Sequence, residues 1–172
     1  DYADGTPFDV NDAANRYVTN ENASARDPRL AASIMWNGSI WKGRALECYD
    51  GGVDQKYMPY GTVNTPGNTV TGYYIRKMMD ESNLDFLVNG SYQPWIEFRY
   101  AEMMLIYAEC LAHENEFEAA REVVAELRKV RFGRDDVVTP EVTDLDSTID
   151  LILKERATEL CFEGHRFWDL RR

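Results

Sequence analysis

Four side chains near the end of the chain, Glu159, Glu163, His165 and Asp169, are of types that could support acid–base chemistry. A carboxylate or imidazole held against a substrate can move a proton at a reacting centre. The spacing argues for another role. Glu155, Glu159 and Glu163 recur every four residues, Arg156 stands three before Glu159, and Arg166 stands three before Asp169. Side chains three or four apart on a helix are neighbours, and arginine bridges a carboxylate with two hydrogen bonds. The segment reads as an ion-pair network that locks two successive helices across Gly164. Such networks perturb charges without doing chemistry.

Other reactive constellations find little support. His113 and His165 are the only histidines, and neither has a second His or a Cys at ligand spacing, so zinc has no site. Asp9-Val10-Asn11-Asp12 and Asp50-Gly51-Gly52-Val53-Asp54 begin like calcium loops, but neither completes the ligand pattern ending in Glu. No GxGxxG, Walker-type or GxSxG string occurs, so no nucleotide, cofactor or serine-hydrolase signature is present. A net charge of −11 opposes binding to nucleic acid, which needs clustered Lys and Arg. It disfavours anionic lipid as well and suits an uncharged ligand. Cys48, Cys110 and Cys161 are widely spaced without a CxxC pair and read as buried free thiols.

Aromatic residues are the remaining functional candidates. Trp36, Trp41, Tyr49, Tyr57 and Tyr60 fall in glycine-rich sequence beside Asn37, Asp50, Asp54 and Gln55. Sugar rings present apolar faces that stack on indole and phenol, while their hydroxyls need amides and carboxylates. Loops held by a rigid scaffold are where such groups concentrate. The candidate ligand-binding set is Trp36, Asn37, Trp41, Tyr49, Asp54 and Tyr57. The competing reading, in which the rings cover a core, stays open for each.

Two kinds of sequence must position these residues. Residues 1–97 are loop-rich: nine of the eleven glycines and five of the six prolines lie within residues 1–95, with short strands or helical turns expected at Leu30 to Trp36 and Gly72 to Met78. Residues 98–172 form a helical-hairpin scaffold. Phe98 to His113 is apolar almost all round, as expected of a helix packed on several faces. Asn115 breaks it. A second helix, with Phe117, Ala120, Val123, Val124, Leu127 and Val130 along one face, stops at Gly133. Small residues at Ala108 and Ala120 and an aromatic at Phe117 fit the tetratricopeptide repeat of about 34 residues. A third helix is expected after Asp146, capped by Ser147 and Asp150, and a fourth from His165. No apolar run approaches the about eighteen residues of a membrane span.

The string Glu155-Arg156-Ala157-Thr158-Glu159-Leu160-Cys161-Phe162-Glu163-Gly164-His165-Arg166-Phe167-Trp168-Asp169-Leu170-Arg171-Arg172, together with Arg99 to Glu109, closely resembles the SusD/RagB family of Bacteroidetes. Asp27-Pro28-Arg29-Leu30 followed by Trp36-Asn37-Gly38 is similar to a stretch preceding the helices in that family. The resemblance implies a mainly α fold of tetratricopeptide-like hairpins with an irregular, loop-rich N-terminal portion, both parts of one larger SusD-like domain. It also implies non-enzymatic binding of a nutrient glycan at the outer membrane, and delivery to a SusC-like TonB-dependent transporter. The membrane attachment would be a lipid anchor outside this sequence, which opens on Asp1-Tyr2-Ala3-Asp4 and reads as an internal piece. Two alternatives remain: a tetratricopeptide adaptor for peptides, and a glycan-active hydrolase, for which no carboxylate pair stands out.

Overall fold

The computed structural model describes residues 1–9, 11–12, 16–54, 69, 71–83 and 85–171. In chain order a 3₁₀ turn, Ala23–Ala25, precedes α1 (Arg29–Ser33), β1 (Ile34–Met35), β2 (Ile40–Trp41), β3 (Arg44–Ala45), β4 (Tyr74–Ile75), α2 (Phe86–Asn89), α3 (Tyr100–His113), α4 (Phe117–Phe132), α5 (Leu145–Glu159) and α6 (Arg166–Asp169). The fold is mainly α. Contacts divide the chain into two compact units: a helical one of Asp1–Asp9, Ala25–Arg29 and Trp95–Arg172, and a loop-rich one of Val10–Ser24 and Leu30–Pro94. The sequence alone places a single boundary near residue 97. The structure assigns two early segments to the helices instead, because charged side chains on both tie them there.

In the helical unit, α3 buries Ala101, Leu105, Ala108 and Ala112, spaced three and four apart, and α4 answers with Ala120, Val124 and Leu127. Ala108 and Ala120 are fully buried in this shared cluster, small residues that let packed helices approach closely. Leu151, Ile152 and Leu160 from α5 and its C-terminal end complete the cluster. Gly133 caps α4 in the left-handed conformation at φ +66°, its N–H donating to the Lys129 carbonyl; glycine takes this conformation without steric cost. The α5 cap lies earlier than expected. Asp144 accepts from the Ser147 N–H, and the Ser147 hydroxyl accepts from the Asp144 N–H in return, a reciprocal capping box. The expectation that α3 packs on several faces meets a different result: Tyr100, Met103, Ile106 and Tyr107 are exposed.

Within this core sit two buried carboxylates, Glu155 and Glu159. Arg29 Nη1 donates to Glu155 Oε1 at 2.5 Å and to Glu159 Oε2 at 3.2 Å. Arg128 Nη1 reaches Glu155 Oε2 at 2.9 Å, and its other terminal nitrogen donates to the carbonyls of Gly5 and Val138. Arg99 holds Glu159 at 2.7 Å and both oxygens of Glu163 at 2.6 and 2.9 Å. Arg131 adds a further bond to Glu159 at 3.0 Å. The expected network is therefore present with different partners. Arg156 pairs with Asp169, at 3.0 Å to each oxygen, and not with Glu159, because the helix interior directs Glu159 toward arginines from distant segments. The Arg156–Asp169 pair does join α5 to α6 across Gly164.

The three thiols are free, but only Cys48 is buried; Cys110 is exposed and Cys161 half-buried. Cys110 lies on the exposed side of α3, which the apolar run of that helix concealed.

The loop-rich unit is built on two small antiparallel pairs, Ile34 against Ile75 with Met35 against Tyr74, and Ile40 against Ala45 with Trp41 against Arg44. The segments around Ile34 and Tyr74, expected as short strands or turns, pair with each other. Met35, Leu46 and Cys48 form a small core, packed by Trp41 and Tyr74.

Burial pushes the Glu159 carboxyl up, but the hydrogen bonds and charges of Arg99 and Arg131 outweigh it and hold the group below the usual carboxylate range. A folded-state pKa lowered in this way contributes stability above the unfolded value of about 4.3 and loses it as the pH falls through the folded value. Glu159→Gln strands buried arginine charge and should cost about 3 kcal/mol, seen as a melting temperature lower by roughly 6–12 °C. Unchanged stability with a lost turnover would instead return Glu159 to acid–base chemistry. Melts between pH 7 and 3 should show wild-type stability falling mainly below about pH 4.5, with a shallower decline in Glu159→Gln.

Candidate functional site

The loop-rich unit carries an open depression of about 560 Å³, within the size range of small-ligand sites. Its floor is Trp36, which is buried. The indole Nε1 donates to Asn20 Oδ1 at 3.0 Å, and Asn20 Nδ2 donates to the Gly38 carbonyl at 3.0 Å. The Ser39 hydroxyl accepts from the Trp36 N–H and donates to the Trp36 carbonyl. These bonds close a tight turn over Asn37–Gly38 and hold the indole in one orientation.

One rim is the β2–β3 hairpin. Its two-residue turn is Lys42–Gly43, with φ +47° and +82°, the positive pair demanded by a type I′ turn. A lysine there is unusual, since left-handed backbone favours Gly, Asn or Asp. The Lys42 ammonium donates to the Asn83 carbonyl and lies 5.6 Å from the Trp41 ring centre. Ile40 projects beside it, exposed. Part of the lining is an ion pair: Arg76 Nε donates to Glu81 Oε1 at 2.6 Å and Arg76 Nη2 to Glu81 Oε2 at 3.0 Å. Arg76 Nη1 is anchored on the Ala31 carbonyl at 3.2 Å. The hydrogen bonds from Arg76 hold the Glu81 carboxyl below its ordinary range.

Of the six sequence candidates, the structure brings Trp36 to this depression. Asn37 uses its side-chain oxygen to accept from the Cys48 N–H at 2.9 Å. Trp41 packs half-buried on the Met35–Leu46–Cys48 core. Tyr49 is exposed. Asp54 is held by both Arg44 terminal nitrogens at 2.6 and 2.7 Å and accepts from the Glu47 N–H; the Arg44 bonds lower its pKa. Tyr57 lies outside the described residues. Sequence reasoning missed Asn20, Ile40, Lys42, Arg76 and Glu81. The Lys42-Gly43 pair between Trp41 and Arg44 carried a hairpin signal, but nothing in spacing links Arg76 to a segment some 35 residues earlier. Among the described residues no group of three His, Cys, Asp or Glu could hold a metal ion.

The family model for SusD matches residues 1–172. The chain belongs to the SusD family. A SusD-like protein of Formosa agariphila is 42% identical over 129 residues, 66% of this chain and 23% of that protein. Two solved structures from Bacteroides fragilis NCTC 9343 each cover 99% of this chain at 29% identity. One is a SusD-like protein with a TM-score of 0.73, and the other is described as a SusD-like carbohydrate binding protein, with a TM-score of 0.65. The chain spans 33% of the length of each, and less than a quarter of the Formosa relative.

In this SusD-family chain the Trp36 floor depends on Gly38. Its φ is +86°, and an added Cβ would lie 2.6 Å from Asn20 Nδ2. Gly38→Ala should displace the Asn20 amide from Trp36 and destabilise the unit by about 1–2 kcal/mol. Near-ultraviolet circular dichroism should report a loosened indole alongside the lower melting temperature.

Proposed function

We propose that this chain contributes to non-enzymatic binding of a nutrient glycan at the outer membrane by a lipid-anchored protein that passes it to a SusC-like TonB-dependent transporter. The observation that carries the reading is the depression itself, an indole-floored hollow walled by a fixed arginine–carboxylate pair, in a chain of the SusD family. The Bacteroides fragilis relative described as carbohydrate binding supports the same ligand class. Among the described residues, Glu81 is the only carboxylate lining the depression, and Arg76 holds it in the ion pair. A glycosidase needs two carboxyl groups about 5 to 9.5 Å apart across the scissile bond, so the lining favours binding over hydrolysis.

A second reading has one observation behind it. Tyr100, Met103, Ile106 and Tyr107 make an exposed apolar stripe on α3, a surface of the kind helical hairpins use to dock other protein segments. The adaptor function and the glycan function make different demands on a ligand screen.

Isothermal titration of the purified protein against a polysaccharide panel, with release of reducing sugar followed in parallel, separates the readings. Binding without release is expected. Ile40→Asp, at the exposed rim, should weaken that binding roughly tenfold, equal to about 1.4 kcal/mol, without lowering the melting temperature. Release of sugar would establish a hydrolase, and silence on every polymer would favour the adaptor.

A further inference from the structure

We propose that the Arg76–Glu81 pair is the recognition element of the depression and selects an uncharged sugar by reading two adjacent hydroxyls. This rests on the glycan-binding reading and adds a ligand chemistry to it. The pair is exposed enough to meet a ligand, with side chains 29% and 43% accessible. It is also fixed: three bonds, two to Glu81 and one to the Ala31 carbonyl, hold the guanidinium plane. Each terminal nitrogen of Arg76 keeps a second N–H beyond those bonds, and each Glu81 oxygen keeps a free lone pair. Donors and acceptors therefore stand side by side on one wall.

A hydroxyl can donate and accept at once. Two on neighbouring carbons meet such a fork by donating to Glu81 and accepting from Arg76. A carboxylate or sulfate on the sugar cannot, because it has no proton to give and would face the Glu81 charge. The cations at the site are already countered: Arg76 by Glu81, and Lys42 by the Asn83 carbonyl and the nearby Asp80 charge. The net charge of −11 adds a further barrier to an anion. Arg76 keeps Glu81 ionised below the usual carboxylate range, so its acceptors persist in mild acid. Since an exposed ion pair adds little to stability, Glu81 can be replaced without unfolding the unit.

The test is affinity electrophoresis of the purified protein in gels containing amylose, 1,4-linked xylan or 1,4-linked mannan, whose residues carry adjacent free hydroxyls. The 1,3-linked glucan laminarin, whose inner residues lack them, and the acidic polymer polygalacturonate complete the set. Retardation by at least one of the first three, and by neither of the others, is expected. Glu81→Ala should weaken that binding at least tenfold with an unchanged melting temperature. Preference for polygalacturonate, or equal retardation by laminarin, would overturn the proposal. So would full binding by Glu81→Ala where Ile40→Asp has lost it, a result that leaves the glycan reading standing. No retardation by any polymer removes both.

Discussion

Carboxylates at Glu155 and Glu159 lie in the interior of the helical unit, where an unpaired charge is costly by several kcal/mol. They remain tolerable because four arginines converge on them from separate parts of the chain: Arg29 at the start of α1, Arg99 just before α3, and Arg128 and Arg131 on α4. The apolar cluster around Ala108, Ala120 and Val124 supplies the hydrophobic stabilisation, but it would accept many side chains of similar volume. The carboxylates accept one arrangement. They require Arg29 at the start of α1 and Arg128 facing Gly5 and Val138, so they determine which remote segments belong to the helices. Asp1–Asp9 and Ala25–Arg29 therefore belong with the helices although they lie in turn-rich sequence.

That distinction explains what could be read from the sequence. The helices were legible because their signals are local: the apolar period of α4, the small residues at Ala108 and Ala120, and the stop at Gly133. The ion-pair network was legible as a network but not in its wiring. Spacing on one helix proposes Arg156 for Glu159, whereas the structure spends Arg156 on Asp169 and supplies Glu159 from Arg29, Arg99 and Arg131. Long-range partners leave no trace in local periodicity.

The same limit governed the candidate site. Aromatics mark a stretch that includes Trp36, which lines the depression. Composition could not tell a ring that lines a hollow from one that fills a core, as Trp41 does, nor a carboxylate at the depression, like Glu81, from one half-buried against Arg44, like Asp54. Arg76 and Glu81 came to the site through the pairing of β4 with β1, two strands of two residues each. No periodicity argument operates over so short a span.

The tie between Arg29 and Glu155 joins residues 126 positions apart, and it gives folding a direction in time. As the chain leaves the ribosome, Arg29 emerges well before its carboxylate partners Glu155 and Glu159. The hydrogen bonds that hold Trp36, Arg76 and Glu81 are made within residues 20–81 and can form while the arginine still faces water. The ion pairs that bind Arg29 and Arg128 to Glu155 cannot form until α5 arrives. Long-range contacts of this kind slow folding, because the entropy lost in bringing distant ends together comes before the contact stabilises them. The helix α5 thus completes the packing of segments made well before it.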